Sequence, residues 1–380
     1  MAKALSSIAV VLICTFGLAE VVSRLIVFDV QGIDYLLRKP WRYILPFDYS
    51  GNPVVKKGSE GEGYRVYDSL LGWSHGRWSR SEGFFSDNDG FRIGESAFKQ
   101  RTPGLRHYDI ACIGNSFTHG DAVSCEDSWP HILSKSTGRT VVNMGVGGYG
   151  IDQAVLRFMR SGTTCDTVIL GLVPGDLERS LTTVYNYYTG GVKTKPRFHF
   201  DADGSHTLLN VPCLSPSEFV ARPLTPRAEA VYNGIAGYNG YVSKEGRWWT
   251  GSIFFRLIYS SIEQARHRRP PVYMTPGRDL DYCLRIFDLF KRHCDSVGTV
   301  PIVLLIDNLN SIADRRKADG NTWAHLQKRL GAMGLVSYQF QDSLMRAYDS
   351  DPGALIHPQE KVHYSPSGNR LLTELLAGRL

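Results

Sequence analysis

Several things are scarce in this chain, and each absence excludes something. Apart from Arg266-His267-Arg268-Arg269 there is no dense Lys/Arg block, and a net charge of +6 over 380 residues is modest, so nucleic-acid binding has no positive support. No cysteine or histidine spacing resembles a zinc site. The 7 cysteines are Cys14 and six more at 112, 125, 165, 213, 283 and 294; Cys112 sits in an apolar run and reads as a plain buried thiol, and no disulfide is assigned. With 43% apolar and 21% charged residues the chain has no long disordered tract. Its length suits one large core or two modest domains, so function has to be read from local motifs.

One stretch departs from globular composition. Ala4 to Ala19 carries no charge and is rich in Val, Ile and Leu after a lone Lys3. These sixteen residues fall just short of the roughly 18 to 20 that a spanning helix needs. If Glu20 and Arg24, spaced i,i+4 and able to pair, sit at the interface, the apolar stretch continues through Phe28 and spans. Gly17 and Ala19 also fit a signal-peptidase site with cleavage before Glu20. Residues 1–28 are therefore expected to be a signal anchor or a signal peptide, which places the protein outside the cytoplasm: membrane-anchored, periplasmic or at the cell surface, or secreted if the signal is cleaved.

Residues 29–106, rich in Gly, Tyr, Trp and Arg, read as an irregular lead-in. The pattern then changes to short aliphatic runs separated by helical stretches, the alternation of a parallel sheet with crossover helices. Strands are expected at Tyr108 to Ile113, Thr140 to Met144, Thr167 to Leu172, Thr299 to Ile306 and Leu335 to Phe340. Helices are expected at Asp127 to Ser136, Ile151 to Ser161, Leu280 to Cys294, Thr322 to Met333 and Ser367 to Leu380. This is one doubly wound α/β core, residues 107–380, with a long insertion at about 180–278 after the third strand. Ligand sites of such sheets lie at the carboxyl ends of the strands, so the insertion is placed to wall the site, and Tyr185, Tyr187, Tyr188, Trp248 and Trp249 are candidates to stack on a sugar, with ordinary packing as the other reading.

Two motifs carry chemistry. Ile110-Ala111-Cys112-Ile113-Gly114-Asn115-Ser116-Phe117-Thr118-His119-Gly120 is an apolar strand running into a glycine-flanked serine. A serine at such a turn stands at the top of the sheet, where amides opening the next helix face developing negative charge; a helix-capping serine is the bland reading. It is not the G-x-S-x-G elbow of α/β-hydrolases. The second is Glu360-Lys361-Val362-His363-Tyr364-Ser365-Pro366-Ser367-Gly368-Asn369 before the final helix. Serine catalysis needs an imidazole to take the hydroxyl proton and a carboxylate to orient it, and Glu360 lies three residues before His363. His357, Glu360 and His363 as metal ligands form a competing arrangement, which Pro358 disfavours by breaking a zincin-like helix.

At this point the residues resemble a known family. Gly114-Asn115-Ser116 looks like the first block of SGNH/GDSL hydrolases, with Asn115 where Asp often stands. Asn143-Met144-Gly145-Val146-Gly147-Gly148-Tyr149-Gly150 is similar to the second block, and the resemblance implies Gly148 as an oxyanion donor beside the Ser116 amide. Glu360-x-x-His363 resembles the closing block, where Asp is more usual. In the third block, Gly171-Leu172-Val173-Pro174-Gly175-Asp176, Gly175 occupies the place of the Asn that donates the remaining oxyanion hydrogen bond; Asn308 is a candidate substitute. The Leu71-Gly72-Trp73 and Asn88-Asp89-Gly90-Phe91-Arg92 segments look like those preceding the nucleophile in bacterial exported, membrane-anchored members.

The resemblance implies a flavodoxin-like three-layer α/β/α sandwich with a five-stranded parallel sheet. It also implies serine chemistry on acyl esters, often acetyl groups on exported carbohydrate, with no metal and no cofactor. Ser116 is expected as nucleophile, His363 as base and Glu360 as its orienting acid. Three functions follow as expectations: an ester hydrolase, an O-acyltransferase of envelope or secreted polysaccharide, and a non-catalytic carbohydrate-binding or assembly protein left by the change at Gly175. The expected partners are an acylated small molecule or polysaccharide, and the membrane through the N-terminal segment.

Overall fold

The computed structural model describes residues 2–30, 33–36, 39–40, 47–48, 63–185, 193–215, 217–218, 221, 223, 225–231, 242–243, 251–266, 271–317 and 320–380. Two compact units divide the chain. One contains Met1–Gly58, Thr183–Thr194 and Leu214–Arg269, the other Ser59–Thr182, Lys195–Cys213 and Pro270–Leu380.

The second unit is built on an eight-stranded sheet. Its strands in chain order are β1 (Arg80–Ser81), β2 (Phe84–Ser86), β3 (Arg92–Ile93), β4 (His107–Gly114), β5 (Val141–Asn143), β6 (Thr164–Leu172), β7 (Val300–Leu305) and β8 (Val336–Gln339), and their order across the sheet is β8-β7-β6-β4-β5-β3-β2-β1. The five expected strands, β4 to β8, are all parallel, and counted by themselves they have the order 2-1-3-4-5 of flavodoxin-like folds. Three short antiparallel strands from the lead-in extend the sheet beyond β5, so this part of the lead-in is regular where the sequence reads as irregular. Strands of two or three residues leave too short a run for period-2 alternation to register.

The helices used below are α1 (Ala2–Ile26), α2 (Ser116–His119), α3 (Trp129–Thr137), α4 (Ile151–Arg160), α5 (Pro174–Arg179), α6 (Ile253–Arg266), α7 (Arg278–Val297), α8 (Leu309–Lys317), α9 (Ala324–Ala332), α10 (Gln341–Ser350) and α11 (Pro366–Ala377). Because side chains alternate along a strand, β4 sends Ile110 and Cys112 into a core with Trp129 and Leu133 of α3, Leu344 of α10 and Leu372 of α11. On the other side α4 and α7 pack on each other, with Phe158 and Phe290 at 6.5 Å. Both faces are covered, which is why β4, β6 and β7 read as almost unbroken apolar runs. Each fully buried Leu or Ile contributes roughly 1.5–3 kcal/mol.

Of the Ser180 to Arg278 stretch, Lys195–Cys213 belongs to the sheet-bearing unit. Lys195 is fully buried there; its ammonium pairs with Asp152 and donates to the Thr182 and Pro196 carbonyls at 3.1 and 2.9 Å. In the other unit Tyr185 is half-buried on a two-stranded ribbon, Val184–Tyr185 with Lys193–Thr194. Tyr187, Tyr188, Trp248, Trp249 and His267-Arg268-Arg269 lie outside the described residues. Ser7–Ile26 of α1 is long and apolar enough to cross a membrane, with a mean hydropathy of 2.0 and almost no burial. Cys112 is buried as expected, its thiol pushed well up by burial, and none of the seven cysteines is in a disulfide.

Candidate active site

The parallel strands reverse their direction of winding at β4: β5 lies on one side of it and β6 on the other. Open α/β sheets form their crevice at such a point. Ser116 follows β4 directly as the first residue of α2, and Asp176 follows β6 in α5. Asn115 joins them: its amide nitrogen donates to both Asp176 carboxylate oxygens at 2.8 and 2.6 Å, while its Oδ1 caps α2 by accepting from Phe117 N at 2.7 Å. The turn requires Gly114, since φ is +151° and an added Cβ would stand 2.4 Å from the Gly171 carbonyl oxygen. That close approach brings the two strand ends together under the serine.

The closing motif reaches the same place through aromatic packing. Ile356 and Tyr364 form a β-bridge, and His357 N donates to the His363 carbonyl at 2.8 Å, which pinches off the loop carrying Glu360 and His363. The His363 ring lies 5.1 Å from that of Phe117, and the Tyr364 ring 5.3 Å from it, edge on. Tyr364 is locked in turn by its hydroxyl donating to the Asp307 carbonyl at 2.5 Å. The residue after the serine is thus the anchor for the histidine.

His363 Nδ1 lies 2.7 Å from Glu360 Oε2. A carboxylate only accepts, so Nδ1 carries the hydrogen and Nε2 is left as the basic nitrogen; among the described residues Nε2 has no partner. Nor does His357 turn outward as a metal ligand, for its Nδ1 faces Glu360 N at 3.4 Å, and among the described residues no three His, Cys, Asp or Glu side chains are gathered as a metal would need.

The amides expected as oxyanion donors belong to the serine turn and to the loop after β5. The loop after β5 is tied to the serine turn by Val146 N donating to the Gly114 carbonyl at 3.1 Å. Gly145 is needed because a Cβ there would come within 2.4 Å of His119 N. Among the described residues neither the Ser116 amide nor the Gly148 amide has a hydrogen-bond partner. Gly175 is half-buried at the start of α5, and among the described residues a Cβ there would meet only Arg179 Nη2, 4.0 Å away: no contact at this position requires glycine. Asn308 Oδ1 accepts from Asn310 N and Ser311 N at 3.0 and 3.1 Å, capping the N-terminus of α8. Burial pushes the Asp176 carboxyl up to about 6, against the opposing pull of Arg179, the Asn115 amide and Val173 N.

A second histidine, which the sequence reading passed over, stands three residues after Ser116. His119 is fully buried; its Nδ1 lies 2.5 Å from Asp121 Oδ1, its Nε2 accepts from the Tyr64 hydroxyl at 2.7 Å, and Arg65 Nη2 donates to Asp121 Oδ2 at 2.7 Å. Burial lowers His119 to about 4 despite the Asp121 carboxylate, so it is neutral near pH 7. Burial acts to raise Asp121, but His119, Arg65 and His363 outweigh it and hold the carboxyl below its ordinary range. Against Tyr64 and His119 packs His75, buried with both ring nitrogens unpartnered. An open cavity of about 490 Å³ is lined by both His–carboxylate pairs together with Tyr64, Arg65, Ser81 and Phe84. Tyr64 and Arg65 meet the site across more than fifty residues of chain, a distance at which no local spacing signals contact.

No family model and no curated protein matches the chain. Similar solved structures include a protein described as a lipolytic protein of the G-D-S-L family from Desulfitobacterium hafniense DCB-2, at 15% identity over 73% of this chain and 100% of that one, with a TM-score of 0.37. A member of the lipolytic protein G-D-S-L family from Veillonella parvula DSM 2008 is similar at 12% identity over 71% of this chain and 96% of that one, with a TM-score of 0.34. What this chain does is inferred from its own side chains.

Proposed function

We propose that the protein is a membrane-tethered serine ester hydrolase of the SGNH/GDSL type, acting on acyl esters, acetyl esters of extracytoplasmic carbohydrate foremost. One observation carries the reading: His119, three residues after Ser116, has its basic nitrogen occupied by Tyr64 and its basicity suppressed by burial, whereas His363, packed on Phe117, has Nδ1 held by Glu360 and, among the described residues, Nε2 unengaged. His363 is therefore the base.

Ser116 Oγ attacks the acyl carbonyl while His363 Nε2 takes its proton. The carbonyl π pair becomes an oxyanion, held by the Ser116 and Gly148 amides, each worth roughly 3–4 kcal/mol in the transition state. Collapse breaks the bond to the leaving oxygen, which receives the proton from His363. Water then repeats the sequence on the acyl-enzyme, giving its proton to His363 and releasing the acid and free Ser116. Arg65, Ser81, Asp121 and Glu360 offer hydrogen bonds to hydroxyl groups, and the half-buried Phe84 offers apolar surface for a sugar ring.

The cavity volume favours a second reading, acyl transfer, because about 490 Å³ is far more than an acetyl group needs and leaves room for an acceptor hydroxyl in place of water. Product partition in the presence of acetylated donor and glycan acceptor separates the two. The change at Gly175 supports a third, a binding protein on the same frame. Hydrolysis of p-nitrophenyl acetate tests the main proposal: Ser116→Ala and His363→Ala each reduce turnover by about 10³-fold or more, and unaltered turnover in Ser116→Ala overturns it.

A further inference from the structure

The apolar helix α1 packs against α6 of its own unit, and the meeting is polar at its centre. The Glu20 carboxylate accepts from Ser252 Oγ at 2.7 Å, from Ile253 N at 3.2 Å and from Phe254 N at 3.1 Å, and pairs with Arg24 Nε at 2.6 Å; Arg24 Nη2 donates to the Gly251 carbonyl at 2.9 Å. A residue of α1 thus caps the N-terminus of α6, satisfying two amides that no residue of α6 can reach. Each acceptor lone pair so used lowers the cost of holding a carboxylate where water is scarce. One turn earlier on α1, Phe16 packs against Phe254 and Phe255 at 5.4 and 4.7 Å.

Depth along α1 follows from the helical rise of about 1.5 Å per residue. Glu20 lies six residues and Phe16 ten from the end at Ile26, or roughly 9 and 15 Å. If Ser7–Ile26 spans the bilayer, α6 begins in the outer part of the hydrocarbon slab. The composition of α6 suits that position and not water. Of residues 253–262, seven are Ile, Phe, Leu or Tyr, yet none of Ile253 to Tyr259 is buried, and Ile258 and Ile262 are 40% and 45% exposed. At 100° per residue Phe254, Phe255, Ile258 and Ile262 form one stripe, with Arg256 at an opposite angle. The stripe starts on α1 and continues past it uncovered. At fourteen residues, about 21 Å, α6 is too short to span.

We infer that α6 is a second membrane contact, lying in the interfacial layer beside α1 with Ile258 and Ile262 in lipid, the placement that amphipathic helices with this pattern adopt. This rests on α1 being a retained anchor. It gives that anchor a fixed partner in the folded chain, so the tether is braced at Glu20 and is not a free stalk.

The test uses the full chain in vesicles of phosphatidylethanolamine and phosphatidylglycerol, with Cys14→Ala as background. Nitroxide labels at Leu12→Cys, Ile258→Cys and Ile262→Cys are compared for collision with oxygen, which concentrates in lipid, and with a water-soluble nickel chelate. Esterase activity on a soluble ester reports that each variant is folded. The expected result is oxygen collision exceeding nickel collision severalfold at all three positions. Lipid exposure at Leu12 with water exposure at Ile258 and Ile262 overturns the α6 contact and leaves the anchor standing. Water exposure at all three overturns the anchor, and the contact with it.

Discussion

Glu360 and His363 face each other across a single loop, Oε2 to Nδ1 at 2.7 Å, with the Glu360 side chain 43% exposed and the histidine 17%. A buried triad carboxylate is worth about 10⁴-fold in turnover; solvent around Glu360 screens its charge, so its contribution lies below that. Glu360→Gln is expected to lower kcat by roughly 10²-fold with little change in KM. Glu360→Asp, which keeps the charge on a shorter arm, falls between. Steady-state kinetics on a soluble ester checks the order, and wild-type kcat in Glu360→Gln removes Glu360 from the site.

Gly175→Asn restores a donor where the structure has room for one. The nearest atom to the added Cβ is 4.0 Å away, so the substitution costs little stability. If oxyanion stabilisation is incomplete in the native protein, kcat rises by at least tenfold and up to the 10²- to 10³-fold that one donor is worth. An unchanged rate means that the hole is already complete, and a fall means that residue 175 lies elsewhere than beside the oxyanion.

The buried His119 makes stability depend on pH in a defined window. Its folded value, about 4, lies below the ordinary 6.5. As pH falls from 6.5 toward 4 the unfolded chain binds a proton that the folded protein refuses, so stability is lost over that interval, by roughly 3 kcal/mol at most. Asp121, held low by His119, Arg65 and His363 against the opposing effect of burial, adds a loss in the same direction at lower pH. Asp176, raised by burial to about 6, acts in the opposite direction between pH 6 and 4, so the His119 contribution is read from urea titrations between pH 7 and 4 as the difference between wild type and His119→Gln. In His119→Gln the slope between 6.5 and 4 should flatten, and an identical slope contradicts the assignment.

The five parallel strands were legible because buried strands of three to nine residues between amphipathic helices leave long apolar runs in the sequence, and the turns that carry Ser116, Gly148 and His363 were legible because glycines and the Glu-x-x-His pattern mark turns by composition. Tyr64, Arg65, His75, His119 and Asp121 were not. His119 was in plain view with its partner Asp121 two residues on, but Tyr64 meets it from 55 residues away; contacts of that range have no sequence period. The paired edge strands Phe84–Ser86 and Arg92–Ile93 hid for a different reason, being too short to alternate. Asn308, by contrast, carries a local signal: an Asn three residues before a serine at the opening of a helix is a cap, and its Oδ1 caps α8.

The central claim is an activated serine at position 116, and mass spectrometry of the protein after fluorophosphonate treatment tests it most directly. The account predicts a single adduct on Ser116 that is absent from Ser116→Ala and strongly reduced in His363→Ala. A folded protein that takes no label, or labels equally in His363→Ala, contradicts it.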